Sequence, residues 1–182
     1  MHETWQLTRF RVGPGDWEGR AAMLRAAAGR AFCGLFRGQI GLEANEGILL
    51  TVLPAELGTA LAGAREVELE RMVATVRPRE PAVPTQPGVY AFRNFEIRDS
   101  DSAEFVSLSE RAWPAFEAGY DAAIFGLWKS LEPRPPEARF ILLTRYASLA
   151  TWEASRADVG RPEFARRHKL TRATRVVTTT LA

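Results

Sequence analysis

The sequence predicts an α+β fold in which a ferredoxin-like β-α-β-β-α-β unit is repeated in tandem and its antiparallel sheets pack as an α+β barrel. The first observation behind this prediction is internal repetition. Residues 34–37 (GLFR) return as 126–129 (GLWK), and residues 48–51 (ILLT) return unchanged as 141–144. A repeat this long indicates a duplicated domain, because solenoid repeats span only about 20–50 residues.

The second observation is that strand and helix signals follow the same order in both copies, and the third is copy size. Each copy alone is short and buries little core for its length, so the two should share one core. We therefore assign residues 1–78 to the first repeat, 79–88 to a Pro-rich linker and 89–182 to the second repeat. Prolines at every third position from 78 to 87 favour an extended strap over residues 77–88.

In the first repeat, apolar periodicity and turn residues predict four strands and two helices. Asp16 is expected to cap the first helix, and Pro54 to open a short second helix, since proline suits a first helical turn. Gly34 and Gly38 lie inside the second strand and predict a bulge or a close backbone approach. The predicted strands are residues 5–12, 31–40, 48–53 and 66–76.

The second repeat follows the same plan with two additions, a longer first helix and an extra helical piece from residue 161. Asp101 and Glu104 have the spacing of a capping box at the start of the long helix, and Pro114 should kink or split it. Ser148 is expected to cap the next helix. A proline-rich turn is predicted at 133–136. The predicted strands are residues 89–98, 124–131, 140–146 and 170–181.

In a ferredoxin-like unit both helices cover one face of the sheet. The other face of each predicted sheet carries Trp, Leu, Phe and Ile side chains, which must be buried. Packing one sheet against the other satisfies both copies at once and closes the structure into a barrel-like sandwich.

Composition excludes several function classes. The 182 residues carry a net charge of only +2, and acids interrupt the basic residues, so nothing indicates nucleic-acid binding. The single cysteine, Cys33, lies in an apolar run and is expected to be a buried thiol. The sequence shows no apolar leader and no stretch long enough to span a bilayer, so we expect a cytoplasmic protein without membrane contact.

Two segments of the second repeat resemble a known family. Residues 88–93 (GVYAFR) are similar to the opening strand of the NIPSNAP family, and residues 146–156 (YASLATWEASR) resemble its Tyr-x-Ser-Leu signature. The resemblance implies the dimeric α+β barrel fold and, with it, a homodimer. The wider superfamily includes cofactor-free monooxygenases, isomerases and haem-binding proteins, and fold-level likeness does not select among them.

His168 and Tyr146 are the candidates for moving a proton. A histidine titrates near neutrality and can act as a base, a haem ligand or a metal ligand. The basic neighbours of His168 at positions 166, 167 and 169 instead favour a solvated helix end. Both interpretations stay open at this stage.

Arg93 and Arg145 are the other two catalytic candidates, because each lies within an apolar strand. An arginine in a closing barrel must find a partner or reach solvent. Binding a carboxylate or an enolate in a cavity and forming a cross-strand ion pair account for them equally well. No cluster of His, Cys, Asp or Glu has metal-ligand spacing, so neither a metal nor a cofactor is predicted.

Aromatic residues concentrate in the second repeat, and four of them are candidates for ligand binding: Trp113, Phe116, Trp128 and Trp152. Such side chains can line a cleft for a flat apolar molecule, although core packing explains them as well. Trp128 is equivalent to Phe36, and Tyr90 to Trp5, which favours a structural role for these positions.

The leading functional hypothesis is the binding of a small apolar or aromatic molecule in a barrel cavity or between sheet and helices. A cofactor-free isomerase or monooxygenase is the reaction class that this hypothesis favours, with enzymatic activity itself left open. The alternative is a non-catalytic module that assembles into homo-oligomers. A cavity above about 300 Å³ with converging polar groups favours ligand binding. A solid interior with a self-contact above about 1,000 Å² favours assembly.

Overall fold

The computed structural model describes residues 3–132, 134–157 and 161–182, so Pro133 of the predicted proline-rich turn lies outside the described residues. The described chain forms eight strands and five α-helices. The strands are β1 (Thr4–Arg11), β2 (Phe32–Ile40), β3 (Glu46–Val52), β4 (Arg65–Ala74), β5 (Val89–Arg98), β6 (Ala122–Ser130), β7 (Glu137–Tyr146) and β8 (Thr171–Leu181). The helices are α1 (Trp17–Ala28), α2 (Gly58–Leu61), α3 (Ser102–Gly119), α4 (Leu149–Ser155) and α5 (Pro162–Leu170).

The eight strands close into one antiparallel barrel in the order β1-β3-β2-β8-β5-β7-β6-β4. Within each half the order is that of a ferredoxin-like sheet, with the first and third strands in the centre. The halves join where the edge strand β2 pairs with β8 and the edge strand β4 pairs with β6. Closure leaves no unpaired edge. The predicted fold class is thereby confirmed.

Large aromatic side chains fill the barrel interior and contact each other across the two halves. Trp5 on β1 lies 5.3 Å, centroid to centroid, from Trp128 on β6, and Phe36 on β2 lies 5.2 Å from Tyr90 on β5. Because Trp5 corresponds to Tyr90 and Phe36 to Trp128 in the repeat, the two contacts are equivalent. The shared core predicted from copy size therefore has a near two-fold arrangement.

Two equivalent glycines make room for these rings. The ladder register shifts between Phe32 and Gly34 on β2 and between Ile124 and Gly126 on β6, so both strands carry the expected irregularity. A Cβ atom on Gly34 would lie 2.8 Å from the Phe36 ring, and one on Gly126 would overlap the Trp128 ring. Each glycine thus allows an aromatic side chain to turn back over its own strand.

The strap of residues 77–88 crosses one end of the barrel. Its Pro84 packs over Gly34 and its Pro78 over Gly126. Backbone hydrogen bonds fasten its beginning, where the Leu127 amide donates to the carbonyl of Arg77 at 2.9 Å. The hydroxyl of Tyr90 donates to the carbonyl of Gln86 at 2.6 Å and fastens its other end.

Two of the three predicted helix caps are wrong. Asp16 occupies the N-cap position of α1, but its side chain makes no capping hydrogen bond. Glu104 does not complete a capping box with Asp101, whose side chain likewise makes no capping bond; instead it pairs with Arg166 of α5. Tertiary pairing of the carboxylate thus displaces the local cap. The third cap is confirmed, since the Ser148 hydroxyl accepts the Thr151 amide at 3.1 Å.

The structure differs from the prediction at Pro54, and at Pro114 it excludes the predicted split. The helix expected from Pro54 begins only at Gly58 and has four residues. Helix α3 runs through Pro114 without splitting, although the proline removes one backbone donor. Trp113 and Phe116 flank Pro114 and are buried against the second sheet, which holds the helix together across that position.

The helices cover the outer faces of the sheet unevenly. Helices α1 and α2 pack on the first half through Trp17, Leu24 and Ala60. The second half carries the longer α3, and α5 lies beside it, immediately before β8. The extra helical piece predicted from residue 161 is α5, and it creates a second wall that the first half lacks.

Candidate functional site

A cavity of about 550 Å³ lies between the outer face of the second-half sheet and the helices that cover it. We call it the helix–sheet cavity. Strands β5, β6, β7 and β8 form its floor, α3 forms one wall, and α5 with the end of α4 forms the other. The cavity exceeds the volume above which we expect ligand binding. It is separate from the barrel interior, which is filled by side chains at the end nearest the strap.

Aromatic side chains form the apolar part of this cavity. Phe116 of α3 meets Tyr146 of β7 edge to face at a centroid distance of 6.2 Å, and meets Phe164 of α5 in the same way at 5.8 Å. Trp113 lies one helical turn before Phe116 and lines the same space. Its indole nitrogen is buried and has no hydrogen-bond partner among the described residues. These contacts connect the two walls and the floor through ring packing.

Cationic side chains form the polar part. Arg93 from β5, Arg156 from the end of α4, and Arg167 and Lys169 from α5 all line the cavity. Among the described lining residues there is no aspartate or glutamate. No carboxylate of the described lining therefore compensates these positive charges.

Arg167 is held by aromatic rings. Its guanidinium carbon lies 5.3 Å from the ring centroid of Phe95, 5.7 Å from that of Phe105 and 5.0 Å from that of Phe164. One guanidinium nitrogen donates to the Ser109 hydroxyl at 3.2 Å. Burial is the main cause that lowers the pKa of Arg167, to about 10, and the positive charge of Arg93 contributes to the same lowering.

Arg93 lies in the centre of the sheet floor, where its backbone pairs with Leu142 of β7 and Val176 of β8. Burial is also the main cause that lowers the pKa of Arg93; the Arg156 charge acts in the same direction, and Tyr146 opposes them. Within the described parts of the chain, Arg93 makes no side-chain hydrogen bond or ion pair. Its charge faces the cavity instead.

A second cavity of about 570 Å³ opens at the barrel end opposite the strap. We call it the barrel-mouth cleft. Its arginines and glutamates neutralise each other: Arg139 pairs with Glu70 at 3.0 Å and approaches Glu96 at 4.0 Å. This cleft is of mixed charge, whereas the charged side chains in the described lining of the helix–sheet cavity are all basic.

Five of the eight predicted site residues line the helix–sheet cavity: His168, Tyr146, Arg93, Trp113 and Phe116. His168 lies on the exposed face of α5 at the rim, and Tyr146 is buried in the floor. The fold thus brings together residues that are far apart in the sequence.

The other three predicted site residues lie elsewhere. Arg145 points away from the cavity, donating to Asp121 at 2.6 Å and to the carbonyl of Pro87 at 2.9 Å. Of the two roles considered for Arg145, anion binding in a cavity or an ion pair, the structure shows the ion pair. Trp128 is fully buried in the barrel interior. Trp152 packs against the apolar cluster between the second-half sheet and its helices, with the guanidinium of Arg156 over its ring.

Sequence reasoning missed Arg167, although a signal for it exists. Phe164, Arg167 and Leu170 follow each other at three-residue spacing, which places them on one helical face. Because Leu170 is buried and Phe164 packs on the core, that face points inward. The cluster of basic residues around His168 indicated a solvated helix, and for Arg167 that indication is wrong.

The described residues include no group of three His, Cys, Asp or Glu side chains placed to hold a metal ion. Cys33 is a buried free thiol, as expected, and burial raises its pKa to about 11. None of the helices in the described chain combines the length and apolar character needed to cross a membrane.

No protein-family model matches the chain, and no curated protein matches its sequence. Solved structures do match. A ferredoxin-fold protein related to antibiotic biosynthesis monooxygenases from Listeria monocytogenes has a TM-score of 0.62 at 10% identity, covering 100% of this chain and 96% of that one. An anthrone oxidase-like protein has a TM-score of 0.60 at 12% identity, covering 100% and 92%.

A heme-binding protein from Thermus thermophilus has a TM-score of 0.59 at 12% identity, again covering 100% of this chain and 92% of that one. Identities this low show a shared fold alone. Membership of the NIPSNAP family stays a prediction. The structural neighbours establish that the chain has the ferredoxin-like α+β barrel fold of monooxygenase-like and heme-binding proteins.

Proposed function

We propose that the chain binds a small apolar or aromatic molecule in the helix–sheet cavity. The observation that carries the proposal is the cavity itself, about 550 Å³ with aromatic walls and several converging polar groups. Concave sites of this size with mostly apolar walls and a few placed polar groups are typical of small-molecule binding. The named roles of the structural neighbours, monooxygenase-like and heme-binding, are compatible with it.

The reaction class that suits these residues is cofactor-free isomerisation or oxygenation. Tyr146 in the floor, or His168 at the rim, would move the proton, and Arg93 would stabilise the enolate oxygen that forms when a proton leaves a carbon next to a carbonyl. Arg145 is engaged by Asp121 and does not face this space. Homo-oligomeric assembly stays the alternative prediction.

The binding proposal is tested by isothermal titration calorimetry with 2-naphthoate and 2-naphthamide, two flat aromatic molecules small enough for the cavity. We expect at least one of them to bind with 1:1 stoichiometry. Ala165 lines the cavity from α5 and is exposed, so Ala165→Trp should obstruct the site while the fold is kept. The matched control Ala26→Trp lies on the exposed face of α1 and should leave binding unchanged.

Binding that survives Ala165→Trp, or the failure of both probes at millimolar concentration, would overturn the proposal. A Soret absorption band in the purified protein would indicate haem as the bound molecule instead. Enzymatic turnover is tested separately, starting with the probe that binds.

A further inference from the structure

The charge balance of the helix–sheet cavity differs from that around three other half-buried arginines of the described chain. Arg11 on β1 has three glutamates within 3.3 Å, Arg139 has Glu70 and Glu96, and Arg145 has Asp121. Arg93 and Arg167 have no carboxylate partner among the described residues. Both are nevertheless half-buried between the sheet and α5.

Such an arrangement is costly for the protein on its own. Removing a cation from water without a counter-charge raises its free energy, and two cations near each other raise it further. The lowered pKa values of both arginines express the same cost. The aromatic rings around Arg167 offset part of it through cation–π contact, but they supply no negative charge.

The donors that remain are numerous. A guanidinium has five N–H donors, and Arg167 uses one of them on Ser109. Arg93 uses none within the described chain. Planar guanidinium forks match the geometry of a carboxylate or an enolate and bind it with two parallel hydrogen bonds.

We infer that the ligand of the helix–sheet cavity is an organic anion, whose carboxylate or enolate oxygens lie between Arg93 and Arg167 while its apolar body packs against Trp113 and Phe116. The inference rests on the proposed function, since it names the chemical class of the molecule bound there. The anion would neutralise both cations and satisfy their free donors. A neutral molecule of the same shape would leave both cations without a counter-charge.

The test compares 2-naphthoate with 2-naphthamide, which has nearly the same shape and no charge. Calorimetry at pH 7 should show the carboxylate binding at least tenfold more tightly than the amide. Arg93→Met and Arg167→Met should each lower the affinity for the carboxylate about tenfold or more. Neither should change the affinity for the amide by more than about threefold, because only the charged contact is lost.

Arg98→Met is the matched control. Arg98 lies on the same strand as Arg93, is exposed, and does not line the cavity, so its replacement should leave both affinities unchanged. Arg93→Lys and Arg167→Lys keep the charge and the fold while removing the planar fork, and should give intermediate losses. Wild-type affinity for the carboxylate should also fall with added NaCl more steeply than that for the amide.

Equal affinity for amide and carboxylate in the wild-type protein would overturn this inference and leave the proposed function intact. Failure of both probes would overturn the proposed function, and the inference with it. Retention of the carboxylate preference in both methionine variants would also overturn the inference, because the charge recognition would then come from other groups.

Discussion

At the scale of single residues, Gly126 and Gly34 determine how closely the aromatic core of the barrel packs. Each lies two positions before a ring that folds back over it, and a strap proline lies next to each on the same side as the ring. Gly34 also has a positive φ of 148°, a backbone conformation that other residues rarely adopt. Gly126 has no such positive φ, so a substitution there tests only the close contact between the added side chain and the Trp128 ring.

We predict that Gly126→Ala destabilises the protein by about 1–3 kcal/mol, the usual cost of overpacking a filled core. The added methyl group would overlap the Trp128 ring, which is fully buried. Urea unfolding followed by tryptophan fluorescence measures the change.

Gly19→Ala is the control for this substitution, because nothing lies within 4 Å of the added methyl group on α1. It should stabilise the helix by about 0.5–1 kcal/mol. Equal stability of Gly126→Ala and the wild-type protein would contradict the close packing described for the barrel interior.

For single residues, the sequence predicted correctly which side chains are buried in the core. It could not predict which polar side chains would become interaction partners. The pattern identified Arg93 and Arg145 as strand arginines but could not separate them. Only the fold shows that Arg145 meets Asp121 whereas Arg93 faces a cavity. Arg167 was missed because its charged neighbours outweighed the three-residue spacing that turns it inward.

At the scale of elements, α5 decides the shape of the site. It carries Phe164 and Arg167 inward, and its outer face is joined to α3 by Arg166. Two hydrogen bonds of 2.6 and 2.9 Å run from the Arg166 guanidinium to the Glu104 carboxylate, which lowers the pKa of Glu104. The pair is solvent-exposed, so its effect should appear in local motion more than in global stability.

We predict that Glu104→Gln increases the exchange rate of backbone amides in α5 about twofold to threefold and changes the thermal midpoint little. The lost charge weakens the connection between α5 and α3, and the helix then opens more often. Hydrogen–deuterium exchange with mass spectrometry resolves the segment 162–170.

Glu110→Gln serves as the reference substitution, since Glu110 is exposed on α3, the helix that also carries Glu104. It should leave exchange in α5 unchanged. High salt should reproduce part of the Glu104→Gln effect in the wild-type protein by screening the pair. Unchanged exchange in Glu104→Gln would mean that ring packing alone fixes α5.

The helices show why caps are harder to predict than cores. Glu104 has the right spacing for a capping box, yet a long-range arginine takes its carboxylate. The Ser148 cap, by contrast, has no such competitor among the described contacts and forms as expected. Local signals therefore predicted most element positions well, while their polar ends depended on residues brought in from elsewhere.

At the scale of the whole molecule, stability depends on strand pairs that cross between the halves. Strands β2 and β4 of the first half find their second partners in β8 and β6 of the second. The same strands carry the aromatic side chains that meet inside the barrel. A separated half would expose two strand edges and one apolar sheet face.

We predict that fragments 1–79 and 80–182, produced separately, do not fold as monomers, and that mixing them restores a 1:1 complex. The cut falls in the strap, between the exposed residues Arg79 and Glu80, where no ladder pairing is lost. Circular dichroism and size-exclusion chromatography with light scattering report on folding and stoichiometry. Either fragment appearing as a stable folded monomer would contradict the shared core.

The global fold was the most predictable level because the repeat encodes it twice. Matching segments, a common element order and an apolar face on each sheet together indicated a closed barrel. The position of the cavity was less predictable, since it depends on how α5 lies over the second sheet. No pattern in residues 161–170 specifies the distance between α5 and the sheet.

Because both halves of the barrel belong to one chain, they are free to differ, and α5 is where they do. A barrel assembled from two identical subunits must carry the same opening on both sides. Here one side carries only the short α2 at this place, while the other carries α5 and the cationic lining of the helix–sheet cavity. Covalent linkage of the halves thus permits a division of labour that exact symmetry forbids.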